Sequence, residues 1–264
     1  MGANSKISWT HHTFNPWWGC TKVSPGCAHC YAETFSKRTG HDVWGNGTHR
    51  FFGDKHWAEP VKWNSEALEL GERRRVFCAS MADVFEEGDD RHLELNRLRL
   101  WTLIEETPNL DWLVLTKRPE NVEMFLRAIW NKNYPPNFWI GTSVENQEMA
   151  DKRLPALAQI PAQVRFISAE PLISPVNLGL EGTAPQSWGY GYVMVGELIH
   201  WVIVGGESGV GYRPFEKSWA RDIKRECEAS GVTKFFMKQL GGNPYKRDQL
   251  EDFPEDLRIQ EWPR

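Results

Sequence analysis

Along the chain, short runs of nearly continuous hydrophobicity alternate with longer stretches where apolar residues recur every three or four positions. The short runs fall at about 10–17, 75–81, 111–116, 138–143, 164–169, 200–206 and 234–239. Segments such as "DWLVLT", "FWIGTS", "VRFISA", "HWVIVGG" and "KFFMKQ" are rich in β-branched and aromatic residues and do not alternate with polar ones. This predicts strands buried on both faces, as in a parallel sheet.

The longer stretches predict helices. "DRHLELNRLRLWTLIEETP" opens on a capping Asp90 and places Leu93, Leu95, Leu98, Trp101 and Ile104 toward a core. "RPENVEMFLRAIW" carries Pro119 near its first turn, and "SWARDIKRECEASG" stops at Gly231. Strand and helix in alternation imply right-handed crossovers and an α/β fold, a partial (β/α) parallel barrel of six to seven strands. A barrel of this kind takes about 250 residues, so the 264-residue chain predicts a single domain over 1–264. Three stretches depart from the alternation: an insertion at about 36–66, a Gly- and aromatic-rich loop at about 181–199, and a C-terminal wrap from about 244 that turns acidic from Asp248. Long loops of this kind are often lids or binding surfaces.

Composition narrows the possibilities only in part. A formal net charge of −4 requires no nucleic-acid partner globally, though local basic patches remain open. No apolar run approaches the roughly 20 residues of a membrane span. The N-terminus lacks a signal-peptide core, and Lys6 stands where a myristoylation motif needs Ser or Thr. A cytoplasmic protein is expected, and there clustered thiols indicate a metal or redox site more than a disulfide. Fourteen tryptophans are many for this length, and Trp17, Trp18, Trp44, Trp57 and Trp63 stand beside polar or charged residues. Such rings serve as core or as pocket walls.

In parallel α/β folds chemistry gathers at the carboxyl ends of the strands. After the first predicted strand come Cys20, Cys27 and Cys30; after the second, Ser80, Asp83 and Glu86; after the third, Thr116, Lys117 and Arg118. Ser143, Glu145 and Asn146 follow the fourth, Ser168 and Glu170 the fifth, Gly205, Gly206, Glu207 and Ser208 the sixth; Lys238 and Gln239 end the seventh. Ser143 and Ser208 also suit plain helix caps. A rim that mixes cations with carboxylates suits a zwitterionic ligand. The glycine pair allows either close backbone approach to a ligand or a tight turn.

The thiols are spaced C-x6-C-x2-C. Three cysteines on a [4Fe-4S] cube leave one iron open to a substrate or cofactor. Zinc is the alternative, with His29, His11 or His12 as fourth ligand. Cys78, within a strand, and Cys227, on a helix, read as buried structural thiols.

Three cysteines after the first strand of a parallel barrel resemble the radical S-adenosylmethionine (SAM) superfamily. This chain has six residues in the first gap, where that superfamily usually has three, and Tyr31 follows the last cysteine while His29 precedes it. "NPWWGC…SPGCAHCYAE", "LTKRPEN", "GTSVENQ", "ISAEPL" and "VIVGGESG", in that order, resemble a radical-SAM-like three-cysteine family of phages and mobile elements. More remotely the chain is similar to the lyase branch that reverses spore photoproduct.

The resemblance implies a cluster on Cys20, Cys27 and Cys30 and a SAM molecule cleaved to a 5′-deoxyadenosyl radical with the help of an electron donor. It places Ser80 and Asp83 at the SAM amino group, Lys117 or Arg118 at its carboxylate, Ser143 and Glu145 at the ribose, and Gly205 and Gly206 at the adenine. Glu170, Glu207 and Lys238 are then left for substrate, with Trp17, Trp18 and the loop near Trp188 as a dry wall.

The insertion interleaves His, Arg and Lys with Trp and Phe in "HDVWGNGTHRFFGDKHWAEPVKW", a mixture that can stack bases and hold phosphates. DNA, RNA or a nucleotide is the expected substrate class. Two other functions stay open: a non-catalytic iron–sulfur or zinc nucleic-acid-binding protein on a degenerate barrel, and a phage scaffold component in which the metal only staples a loop.

Overall fold

The computed structural model describes residues 2–45, 48–189 and 192–263. Asn46 and Gly47 of the insertion, and Tyr190 and Gly191 of the later loop, lie outside the described residues. The chain divides into two compact units, Met1–Val23 with Ala32–Ile140, and Ser24–Tyr31 with Gly141–Arg264. The fold class is α/β, a partial parallel (β/α) barrel whose seven strands follow the order β1-β4-β5-β6-β7-β8-β9 in the numbering below.

The chain runs β1 (His12–Thr13), β2 (Trp17–Trp18), α1 (Tyr31–Arg38), β3 (Arg50–Phe51), α2 (Asp54–Trp57), α3 (Glu59–Leu70), β4 (Arg74–Cys78), α4 (Arg91–Glu106), β5 (Leu110–Thr116), α5 (Val122–Trp130) and β6 (Phe138–Ser143). In the first unit β1 pairs parallel with β4, His12 opposite Val76, and β4 pairs parallel with β5 from Arg74↔Leu110 to Cys78↔Val114. The run predicted at 10–17 becomes two short strands because Asn15 and Pro16 interrupt it. Proline has no N–H for a ladder, and the Asn15 side chain instead accepts from the Met81 amide at 2.7 Å. β2 pairs antiparallel with β3, Trp18 opposite Arg50.

Helix α4 begins at its expected cap, where Asp90 accepts from the His92 amide at 2.8 Å. Its buried stripe differs from the expected one. Leu95 and Leu98 are 52% and 47% exposed, whereas Leu93, Arg97, Leu100, Trp101 and Ile104 are buried. Those five follow the i, i+4, i+7, i+8, i+11 helical face. Arg97 is tolerated there because its Nε donates to Val84 O at 2.8 Å, a second nitrogen donates to Glu86 O, and the guanidinium lies 4.3 Å from the Phe125 ring centre. Losing Trp101 from this stripe would cost about 3–5 kcal/mol. Residues 36–66 hold β3, α2 and most of α3, with Trp57 and Trp63 buried; those two tryptophans are core.

The second unit continues with α6 (Gln147–Gln159), β7 (Val164–Ala169), α7 (Val195–Leu198), β8 (Trp201–Gly205), α8 (Lys217–Ser230) and β9 (Lys234–Gln239). β7, β8 and β9 are parallel neighbours, and the register shifts at Val204/Gly205. Helix α6 is capped by Asn146, which accepts from the Met149 amide at 2.9 Å, and α8 ends at left-handed Gly231. The C-terminal residues run antiparallel beside β9, with Met237 N donating to Ile259 O at 2.8 Å and Glu261 N to Phe235 O at 3.1 Å. This gives partners to groups that an edge strand would otherwise expose. Among the described residues no helix is long and apolar enough to cross a membrane.

Candidate functional site

In the first unit Cys20 follows β2 through Gly19, whose φ is +128°. Gly19 N donates to Met81 O at 3.0 Å, and Gly45 N donates to Cys20 O at 3.0 Å, so backbone on both sides fixes the cysteine. A side chain at Gly19 would meet Thr48 O at 2.7 Å and Val43 O at 2.8 Å. This is a close approach that glycine alone permits.

Next to Cys20 lies a buried ion pair. Arg118 donates from Nη1 to Asp83 Oδ2 at 2.9 Å and from Nη2 to Thr21 Oγ1 at 2.7 Å, and Nη1 stands 4.0 Å from Cys20 Sγ. Asp83 also accepts from Thr116 Oγ1 at 2.7 Å, from the Lys117 amide at 3.0 Å and from the Phe85 amide at 3.1 Å. Thr21 Oγ1 donates in turn to Glu86 Oε1 at 2.7 Å, and Glu86 Oε2 is buried with no hydrogen-bond partner. Burial, then the Asp83 and Glu86 carboxylates, push the Cys20 thiol up, while Arg118 pulls it back. Ser80 is hydrogen-bonded to Asn15.

In the second unit Ser24–Tyr31 carries the other two thiols. Pro25–Cys27 forms one 3-10 turn in which Cys27 N donates to Ser24 O at 2.9 Å, and Ser24 Oγ lies 3.7 Å from Cys27 Sγ. Two carboxylates reach this segment. Glu145, fully buried, accepts from the Gly26 amide at 3.1 Å and pairs with Arg153 Nη1 at 2.8 Å; Arg153 Nη1 also donates to the Ser143 carbonyl at 2.8 Å. Glu207 meets His29 Nδ1 at 3.0 Å and accepts from the Arg213 amide at 2.8 Å and its Nε at 2.9 Å, while Arg213 Nη1 donates to Pro25 O at 2.9 Å. Burial pushes the Glu207 carboxyl up, and the Arg213 and His29 hydrogen bonds outweigh it, leaving it at about 2.

A separate group stands where β7, β8 and β9 end. Lys238 Nζ donates to Glu170 Oε1 at 2.6 Å, and Gln239 Nε2 donates to Gly206 O at 2.7 Å and Ser208 Oγ at 2.9 Å. A Cβ on Gly205 would meet Glu170 and Gln239 at 3.2 Å, and one on Gly206 would meet Leu240 O at 2.4 Å. Packing within the protein is therefore sufficient reason for this glycine pair.

The expected residues thus fall into three sets: Cys20 with Asp83, Arg118 and the Lys117 amide; Cys27 and Cys30 on a segment held by Glu145 and Glu207; and Glu170 with Lys238 and Gly205. Thr21, Arg153 and Arg213 belong to these sets and have no motif of their own in the sequence. Trp17 is buried, in edge contact with His49, whereas Trp18 is half-buried against Arg50; Trp188 is half-buried in a 3-10 turn.

No disulfide joins the five cysteines, and Cys78 and Cys227 are buried while Cys20, Cys27 and Cys30 are half-buried. Among the described residues no three His, Cys, Asp or Glu side chains stand already gathered as metal ligands. The donor chemistry fits an iron–sulfur group, since soft thiols are the ligands such clusters take. No curated protein and no solved structure matches the chain. A family model described as a protein of unknown function, DUF5131, matches residues 4–258, and the chain belongs to that family.

Proposed function

We propose that the protein is a radical-SAM enzyme whose Cys20, Cys27 and Cys30 hold a [4Fe-4S] cluster, and that it modifies or repairs a nucleic acid or nucleotide. The observation that carries this reading is the C-x6-C-x2-C thiol segment itself, half-buried and without a disulfide, following the first strand of a parallel α/β sheet. When bound, the cluster would pass one electron from an external donor to SAM, breaking the sulfur–C5′ bond to give methionine and a 5′-deoxyadenosyl radical.

The chain's own part is to bind, orient and keep water out. Arg118, fixed by Asp83 and Thr21, keeps a positive charge beside Cys20 that offsets part of the burial and carboxylate charge opposing its thiolate. Glu145 holds the segment of the other two thiols at Gly26, and Glu207 holds it at His29. Lys238 with Glu170 offers a zwitterionic surface at the strand ends for a polar substrate.

A non-catalytic iron–sulfur or zinc nucleic-acid-binding protein is the second reading. One feature favours it: the Arg50 guanidinium lies 4.6 Å from the Trp18 ring centre and 5.0 Å from that of Phe52, a half-exposed cation on aromatic faces.

The test is made on anaerobic, iron–sulfide-reconstituted protein reduced with dithionite. A reduced-cluster EPR signal perturbed by SAM, with 5′-deoxyadenosine formed, is expected. A cluster indifferent to SAM, together with DNA or RNA affinity, would favour the binding protein. Zinc in place of iron would remove the radical reading.

A further inference from the structure

We infer that Glu207 is a positioning residue for the Cys27–Cys30 segment and makes no contact with substrate. This rests on the proposed role of those cysteines as ligands. Glu207 follows β8, is 5% exposed, and its carboxylate is already committed. Oε2 meets His29 Nδ1 at 3.0 Å, the Arg213 amide at 2.8 Å and Arg213 Nε at 2.9 Å, and Oε1 accepts from Arg213 Nη2. An ionised carboxylate offers about four acceptor sites; three donors crowd Oε2 and the Arg213 fork holds Oε1, so the group is engaged within the protein.

The direction of these bonds explains what the residue does. Arg213 Nη1 donates to Pro25 O at 2.9 Å, two residues before Cys27, while His29 lies two after it and directly before Cys30. Glu207 and Arg213 therefore hold the thiol-bearing turn at both ends. The held contacts are charge-assisted, stronger than neutral hydrogen bonds and specific in direction. Accepting from Nδ1 also fixes the tautomer and ring orientation of His29, as outer-shell carboxylates do beside metal-binding segments.

The variant Glu207→Gln keeps the shape but presents an amide N–H₂ to the Arg213 and His29 donors. Arg213→Lys, which removes the fork, is the second variant should the first fold poorly. Arg221→Gln, which breaks a surface pair with Asp256, is the control. Hydrogen exchange of the residue 26–30 amides is measured in metal-free protein, and iron retention against a chelator in reconstituted protein.

Exchange of that segment is expected to rise at least about tenfold in Glu207→Gln, with α6 and β7 unchanged, and iron affinity to fall about 10–100-fold. Unchanged exchange in both variants, with iron held as in the wild type, would overturn the positioning role alone. Faster exchange in protein that never takes up iron would overturn the cluster reading and leave the clamp in place.

Discussion

Replacing Glu145 by alanine tests whether that carboxylate serves the fold or a ligand. Glu145 is wholly buried, and its partner Arg153 is 1% exposed. The alanine variant leaves the guanidinium buried with Ser143 O as its remaining acceptor from Nη1, and Arg153 Nε has no partner even in the intact pair. Removing one partner of a buried pair costs about 3–5 kcal/mol, because the stranded charge keeps its desolvation penalty. The Gly26 amide loses its acceptor as well. Against a total stability of about 5–15 kcal/mol, this is a large fraction. With an m-value of about 2–3 kcal/mol/M, the urea midpoint followed by far-UV circular dichroism should fall by roughly 1–2.5 M. The double variant Glu145→Leu with Arg153→Met should recover most of the loss, since apolar groups of similar volume carry no such penalty. A midpoint within about 0.3 M of the wild type for Glu145→Ala, with SAM affinity reduced, would refute the reasoning and return Glu145 to the ribose role that the family resemblance implied.

Cys27→Ala is expected to lose iron while keeping wild-type far-UV circular dichroism; full iron stoichiometry in that variant would remove Cys27 from the ligand set. Gly19→Ala forces a side chain onto two carbonyl oxygens in a left-handed conformation, so its melting temperature should drop by an amount equivalent to about 1–3 kcal/mol, and an unchanged melt would contradict the close approach. Stability should also fall as pH drops from about 6.5 toward 4. Burial, then Arg75 and Arg74 beside His11 and Arg74 beside His12, lower both imidazoles to about 4. The unfolded chain therefore binds more protons over that interval, and the stabilisation is complete only above it. The loss by pH 5 should be roughly 1–3 kcal/mol for the pair, allowing for solvent at half-buried His11. Equal melting temperatures at pH 5 and 7.5 would refute it.

The strands were the most legible part of the sequence. "DWLVLT", "FWIGTS" and "VRFISA" are buried on both faces nearly throughout, so their hydrophobicity is continuous and needs no knowledge of neighbours. Helix α4 was legible in extent, through Asp90 at its start, but not in orientation. A pattern that counts every arginine as surface hides Arg97, and Leu95 and Leu98 then fill the apparent stripe. Helix α6 has Pro155 in its interior, which obscures the helical signal, and the helices of the 36–66 stretch lie among Gly and aromatic residues that read as loop. At the site, spacing alone singled out Cys20, Cys27 and Cys30, and position after a strand singled out Asp83, Arg118, Glu145 and Glu207. Their partners were not legible. Arg153 stands eight residues from Glu145 and Arg213 six from Glu207, and only tertiary structure turns either charge inward.

The membership of Ser24–Tyr31 in the second unit has a consequence for synthesis. Cys27 and Cys30 leave the ribosome about 180 residues before Glu207 and Arg213. At about 5–20 residues per second, that is a delay of roughly 9–36 s. Through that interval the nascent chain carries two thiols on a segment whose guanidinium and carboxylate have yet to be made. A chain that stalls or is cut short before Glu207 lacks the groups that hold this turn at Pro25 and His29.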